Sequence, residues 1–103
     1  MNKFFVESDM PDHHKVATLA DALGCSREAA IGHLVSFWCR VARLHEKGDL
    51  GGVAPVAIAS WAGWAGNAVT FVDALKSARL LDDDFRVHGW KKRNAQFFKN
   101  RER

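Results

Sequence analysis

The sequence predicts a single small domain, mainly α-helical and carrying a small antiparallel β-hairpin. Three observations predict it. Apolar residues recur at helical spacing in separate runs, and Gly, Pro and capping residues punctuate those runs where helices start and stop. An apolar pair, an acidic turn and an alternating arm then follow one another in the order of a hairpin. With 103 residues, 48% of them apolar and 26% charged, the chain has the make-up of one folded domain and not of a disordered one. Four Trp and seven Phe supply enough large side chains for a core without disulfide or metal staples.

The elements follow in chain order. Phe4-Phe5-Val6 reads as a short strand or an apolar plug, and Ser8-Asp9-Met10-Pro11-Asp12 as a loop whose last residue caps the next helix. Val16, Leu19, Ala20 and Leu23 mark one helix face, and Gly24 stops that helix as its left-handed C-terminal residue. Ser26 caps the longest periodic segment, residues 27–47. Its core face is Ile31, Leu34, Val35, Trp38, Val41 and Ala42, widened by Ala30, Phe37 and Leu44. Gly32, Ser36, Arg40, Arg43 and Lys47 form a narrow polar ridge that keeps one side of this central helix wet or extends a basic stripe. Gly48-Asp49-Leu50-Gly51-Gly52 breaks the run. Pro55 opens a short helix over 56–62 that Gly63 stops, and Asn67 caps a further helix over 68–78 with Phe71, Val72, Leu75 and Ala78 inside. Leu80-Leu81, Asp82-Asp83-Asp84 and Phe85-Arg86-Val87-His88 supply the hairpin's arm, turn and arm.

Charge and cysteine content narrow the function. Residues 1–85 carry eight Lys/Arg against eleven Asp/Glu, whereas residues 86–103 carry seven against Glu102 alone. The basic character is therefore C-terminal, concentrated in residues 91–103, which read as a basic extension or the start of a linker, and not in the domain at 1–90. No apolar run approaches the ~20 residues of a membrane span. The N-terminal residues reach Glu7 and Asp9 without the apolar core of an export signal, predicting a cytoplasmic protein with no membrane partner. Cys25 and Cys39 form no C-x-x-C pair and are expected as reduced thiols, Cys39 buried or half-buried on its helix. His13 and His14 diverge on a helix, and His33 and His45 lack partners at zinc-finger spacing, so no metal or other cofactor is expected. His33 reads instead as a half-buried hydrogen-bonding group. No phosphate loop, dinucleotide fingerprint, H-E-x-x-H or nucleophile–base constellation is present, so no enzyme and no catalytic residue is expected.

Two short helices joined through a Gly-containing turn make a helix-turn-helix candidate, and a hairpin directly after them gives its winged form. In that arrangement the second helix buries one face and offers the other to a major groove. Asn67 and Thr70 would then reach base edges and Lys76, Arg79 and Arg86 would contact phosphate, with Ser77 and His88 as further DNA-binding candidates. Lys91, Lys92 and Arg93 open the dense basic stretch that would add non-specific affinity.

The ordered series Asp12-His13-His14-Lys15-Val16, Leu19-Ala20, Leu23-Gly24, Ile31-Gly32-His33-Leu34-Val35 with Trp38, and Gly48-Asp49-Leu50 carries a resemblance. Ile58-Ala59, Ala62-Gly63-Trp64, Phe71-Val72 with Ala74-Leu75, Leu80-Leu81-Asp82 and Val87-His88-Gly89-Trp90 continue it. Over 4–90 the sequence resembles the N-terminal winged-helix domain of phage and prophage replisome organisers, the primosomal DnaD-type replication initiation proteins. The resemblance implies double-stranded DNA binding or self-association at a replication origin, with a helicase or helicase loader as partner. It supplies no catalytic residues. One feature departs from a phosphate-tracking wing: the tip is Asp82-Asp83-Asp84 where Lys or Arg is usual, and carboxylates repel a DNA backbone. That departure leaves room for a second function, a homodimeric or higher oligomeric docking module whose interface is Phe4, Phe5, Trp61 and Trp64. A phage transcriptional regulator of the same fold is a variant of the first function.

Overall fold

The computed structural model describes residues 14–90, in which four helices form: α1 (His14–Leu23), α2 (Arg27–Leu44), α3 (Pro55–Trp61) and α4 (Ala68–Ser77). Phe4, Phe5, the Asp12 cap, His13 and the basic residues from Lys91 onward lie outside the described residues. The helices pack in a ring, α1 on α2 and α4, and α3 on α2 and α4. Phe37, Phe71, Leu19, Leu34, Leu50, Ile58, Leu75 and Leu81 fill the space inside it.

The expected faces of α1 and α4 are the buried ones. Val16, Leu19, Ala20 and Leu23 point inward from α1, and Phe71, Val72, Ala74 and Leu75 from α4. Ser26 caps α2 by accepting from the Ala29 N–H at 3.0 Å, and Asn67 caps α4 by accepting from the Thr70 N–H at 3.0 Å. Each satisfies a donor the first helical turn leaves open.

α2 differs from its expected form in three places. It ends at Leu44, because His45 leaves helical geometry while its N–H still reaches the Val41 carbonyl. Leu44, assigned to the core face, is 55% exposed, since the last residue of the helix overhangs its partners. Cys39, expected buried or half-buried, is exposed. It lies about 180° around the helix from buried Ala30, the far side of the wheel from the core. The other thiol, Cys25, is half-buried, and desolvation pushes its pKa up.

Three helices end in the same way. Gly24 after α1, Gly63 after α3 and Arg79 after α4 take φ values of +67°, +70° and +60°. The next residue then bonds back across the turn, Cys25 N–H to Ala20, Trp64 N–H to Ala59 and Leu80 N–H to Leu75, at 3.0, 3.0 and 2.9 Å. This is a Schellman closure, in which a left-handed residue turns the chain and satisfies the last carbonyls.

Among the described residues no strand forms, so the β-hairpin expected over 80–88 is present only as its turn and single bridges. Phe85 N–H closes on the Asp82 carbonyl at 2.9 Å, and Asp82 N–H on the Arg86 carbonyl at 2.8 Å. Phe85 itself takes φ +64°, a left-handed conformation that ends regular pairing after one step. Leu81 bridges Val87, and Arg86 bridges Asp49 from the segment between α2 and α3, both antiparallel. The arm at 86–87 thus lies between 81 and 49. Gly48 anchors it: the Gly48 carbonyl accepts from Val87 N–H at 2.8 Å. A Cβ on Gly48 would stand 2.5 Å from the Trp90 ring.

Candidate nucleic-acid interface

α3 and α4 form the expected helix pair, joined by residues 62–67. The pair is fixed from behind by α2, through His33 and through Ser36 and Arg40 of the ridge expected to stay wet or to extend a basic stripe. Ser36 Oγ donates to the Trp61 carbonyl at 2.7 Å and accepts from Arg40 Nη1 at 3.3 Å. His33 Nδ1 lies 2.7 Å from the Ala62 carbonyl. A carbonyl only accepts, so Nδ1 carries the proton there. These two residues satisfy carbonyls at the end of α3 and hold the inter-helix turn. Ser36 and Arg40 are half-buried against α3, a role that the helix period alone does not reveal.

The two tryptophans of the connection pack on the core. The Trp64 ring stacks on Phe71 with centroids 5.9 Å apart and meets the His33 ring edge-on at 5.4 Å, while its Nε1 donates to the Asn67 carbonyl at 3.2 Å. Trp61 lies 5.5 Å from the His45 ring. Both are half-buried, which leaves part of each ring accessible.

The outward row of α4 is Val69, Thr70, Asp73 and Ser77, all exposed, with Lys76 half-buried beside them. Thr70 and Ser77 thus stand where sequence placed them. Asn67 is exposed too, but its Oδ1 is turned to the helix as the cap. At the other end of α4, an open cavity of about 400 Å³ gathers Lys76, Ser77, Arg79 and His88 with Leu81, Asp82 and Asp83. Four of the seven described residues assigned to DNA therefore meet in one cleft, and Asn67 and Thr70 sit apart from it at the head of the helix.

Local partners hold the cations of this region. Lys76 Nζ stands 4.1 Å over the Phe85 ring, a cation–π contact joining α4 to the acidic turn. The Arg79 carbonyl accepts from Lys15 Nζ at 3.3 Å, which ties α1 to the same junction while the Arg79 side chain stays exposed. Arg86 is shared between Asp84 at 3.4 Å and Asp49 at 3.9 Å. His88 Nδ1 lies 2.8 Å from Asp82 Oδ1. The ion pairs of Arg86 join exposed groups, whose pairing is worth about 1 kcal/mol or less. A phosphate can take Arg86 from its carboxylates at small cost, though the carboxylates then remain close by.

Residues 14–90 hold eight Lys/Arg against eight Asp/Glu, so the described domain is balanced in charge. Among the described residues no group of three His, Cys, Asp or Glu side chains is placed to hold a metal ion. No helix among them is long and apolar enough to cross a membrane. No family model, no curated protein and no solved structure matches the chain.

Proposed function

We propose that this chain is a winged helix-turn-helix domain that binds double-stranded DNA in replication initiation of the phage replisome-organiser type. On this reading α3 and α4 are the helix pair, α4 lies along the major groove, and the 80–88 turn is a reduced wing. The observation that carries it is the α3–α4 pair, whose second helix leaves a polar row outward and ends in the cleft of Lys76, Ser77, Arg79 and His88. The arm order 49, 86–87 and 81 supports a wing folded back onto the helices. The test is fluorescence anisotropy of the full chain on a labelled duplex over a salt series. Reversing both Lys76 and Arg79 to Glu is expected to weaken binding across sequences and to flatten the salt slope by about 2. Replacing Lys91, Lys92 and Arg93 with Gln should lower non-specific affinity and leave sequence preference intact. Unchanged binding in the Lys76/Arg79 variant would remove α4 from the interface.

A second reading is favoured by the acidic tip and by the balanced charge of residues 14–90. In it the same domain is an oligomerisation and docking module for a second copy or a helicase-loading protein. The Lys76/Arg79 reversal then leaves oligomer size unchanged in light scattering, and Trp64→Ala dissociates the oligomer.

A further inference from the structure

The head of α4 carries an exposed side chain that the polar row does not explain. Val69, in the first turn, is 56% exposed, while its neighbours Phe71 and Val72 are buried. No cation stands among residues 67–73, where the exposed groups are Asn67, Val69, Thr70 and Asp73. Guanine presents two acceptors in the major groove, best met bidentately by Arg or Lys, and neither stands on this face, whose donors are the Thr70 hydroxyl and the Asn67 amide group. The paired O and N contacts of Asn with an adenine edge need the carboxamide oxygen, which Asn67 commits to its cap on Thr70. What remains is an isopropyl group beside a hydroxyl, with a carboxylate one turn further along. The group in the major groove that rewards an apolar contact is the 5-methyl of thymine, and the groups that reward the carboxylate are exocyclic amino donors.

Resting on the duplex-binding reading above, we propose that Val69 is a specificity-determining residue that packs on a thymine methyl group at the N-terminal end of α4. The occupant of this face is thus DNA whose major groove presents thymine, not a guanine-rich site.

The experiment compares the full chain on an alternating adenine–thymine duplex and on its adenine–uracil twin, which keeps every base-edge hydrogen bond and removes only the methyl groups. Tighter binding to the thymine duplex is expected, by about fourfold for each methyl group buried. Val69→Ala, at an exposed helical site where Ala is a better helix former, should bring the two affinities together, and Val69→Ile should keep them apart. Equal affinity of the unmodified chain for both duplexes, or an undiminished ratio in Val69→Ala, overturns the inference while leaving duplex binding in place. Absence of binding to either duplex at low salt overturns the duplex-binding reading and the inference with it. In that case, loss of an oligomer in Val69→Ala would assign the residue to a protein contact.

Discussion

The C-terminal ends of α3 and α4 use one device with different residues. Both close through a Schellman turn with a left-handed residue, Gly63 at φ +70° in one and Arg79 at φ +60° in the other. Glycine takes this conformation freely, whereas a side chain there costs about 1–2 kcal/mol. At the end of α3 the turn serves only to redirect the chain, and α2 holds it through His33 and Ser36. At the end of α4 the chain keeps a strained arginine with its side chain exposed beside Lys76 and His88 in one cleft. A costly residue held where glycine would fold as well points to a use for its side chain. On the proposed reading, the contrast separates an end of the helix pair that only turns the chain from one that offers a side chain to DNA.

Substitutions sharpen this contrast in decreasing order of effect. Gly48→Ala should be the most damaging, by about 3 kcal/mol, because it combines φ +76° with a Cβ forced into the Trp90 ring. The urea midpoint should fall with little change in slope. Gly63→Ala carries the backbone cost alone, since no atom lies within 4 Å of its added Cβ, so about 1.5 kcal/mol is expected in the same assay. Arg79→Gly should go the other way and raise stability by about 1 kcal/mol, yet weaken duplex binding in anisotropy. A variant more stable and equally tight would break the contrast. Arg86→Ala should move stability by less than about 0.5 kcal/mol, because its partners are exposed and screened. Raising the salt should erase even that.

What the sequence revealed and what it hid divide along the same physical line. The buried faces of α1 and α4, the caps at Ser26 and Asn67 and the stops at Gly24 and Gly63 are local, set by residues within a turn or two. They are legible from spacing and residue type. His33 was readable as a hydrogen-bonding group, but its acceptor, Ala62, lies 29 residues away and nothing local names it. Ser36 and Arg40 looked like solvent-facing polar residues because helical period cannot say which neighbour covers a ridge. Cys39, expected buried or half-buried on its helix, is exposed, because a step of about 100° from buried Trp38 carries it away from the core. The hairpin was legible as composition only. The left-handed Phe85 limits pairing to single steps, and the second bridge, from Asp49 to Arg86 on the arm's other edge, comes from a segment more than thirty residues away, so both depend on tertiary packing. At the candidate interface, Lys76, Ser77, Arg79 and His88 line one cleft, a grouping that no spacing in the sequence names because His88 arrives through the 80–88 turn. The ties of Arg86 to two carboxylates were visible only once the turn was folded.

The most direct test of a duplex interface on α4 is an amide chemical-shift titration of the full chain with a short DNA duplex. Salt-sensitive shifts concentrated over residues 67–79 are expected, with α1 and the outer side of α2 undisturbed. Shifts confined to residues 91–103, with the α4 amides unmoved, would contradict that interface and leave only electrostatic attraction through the basic extension.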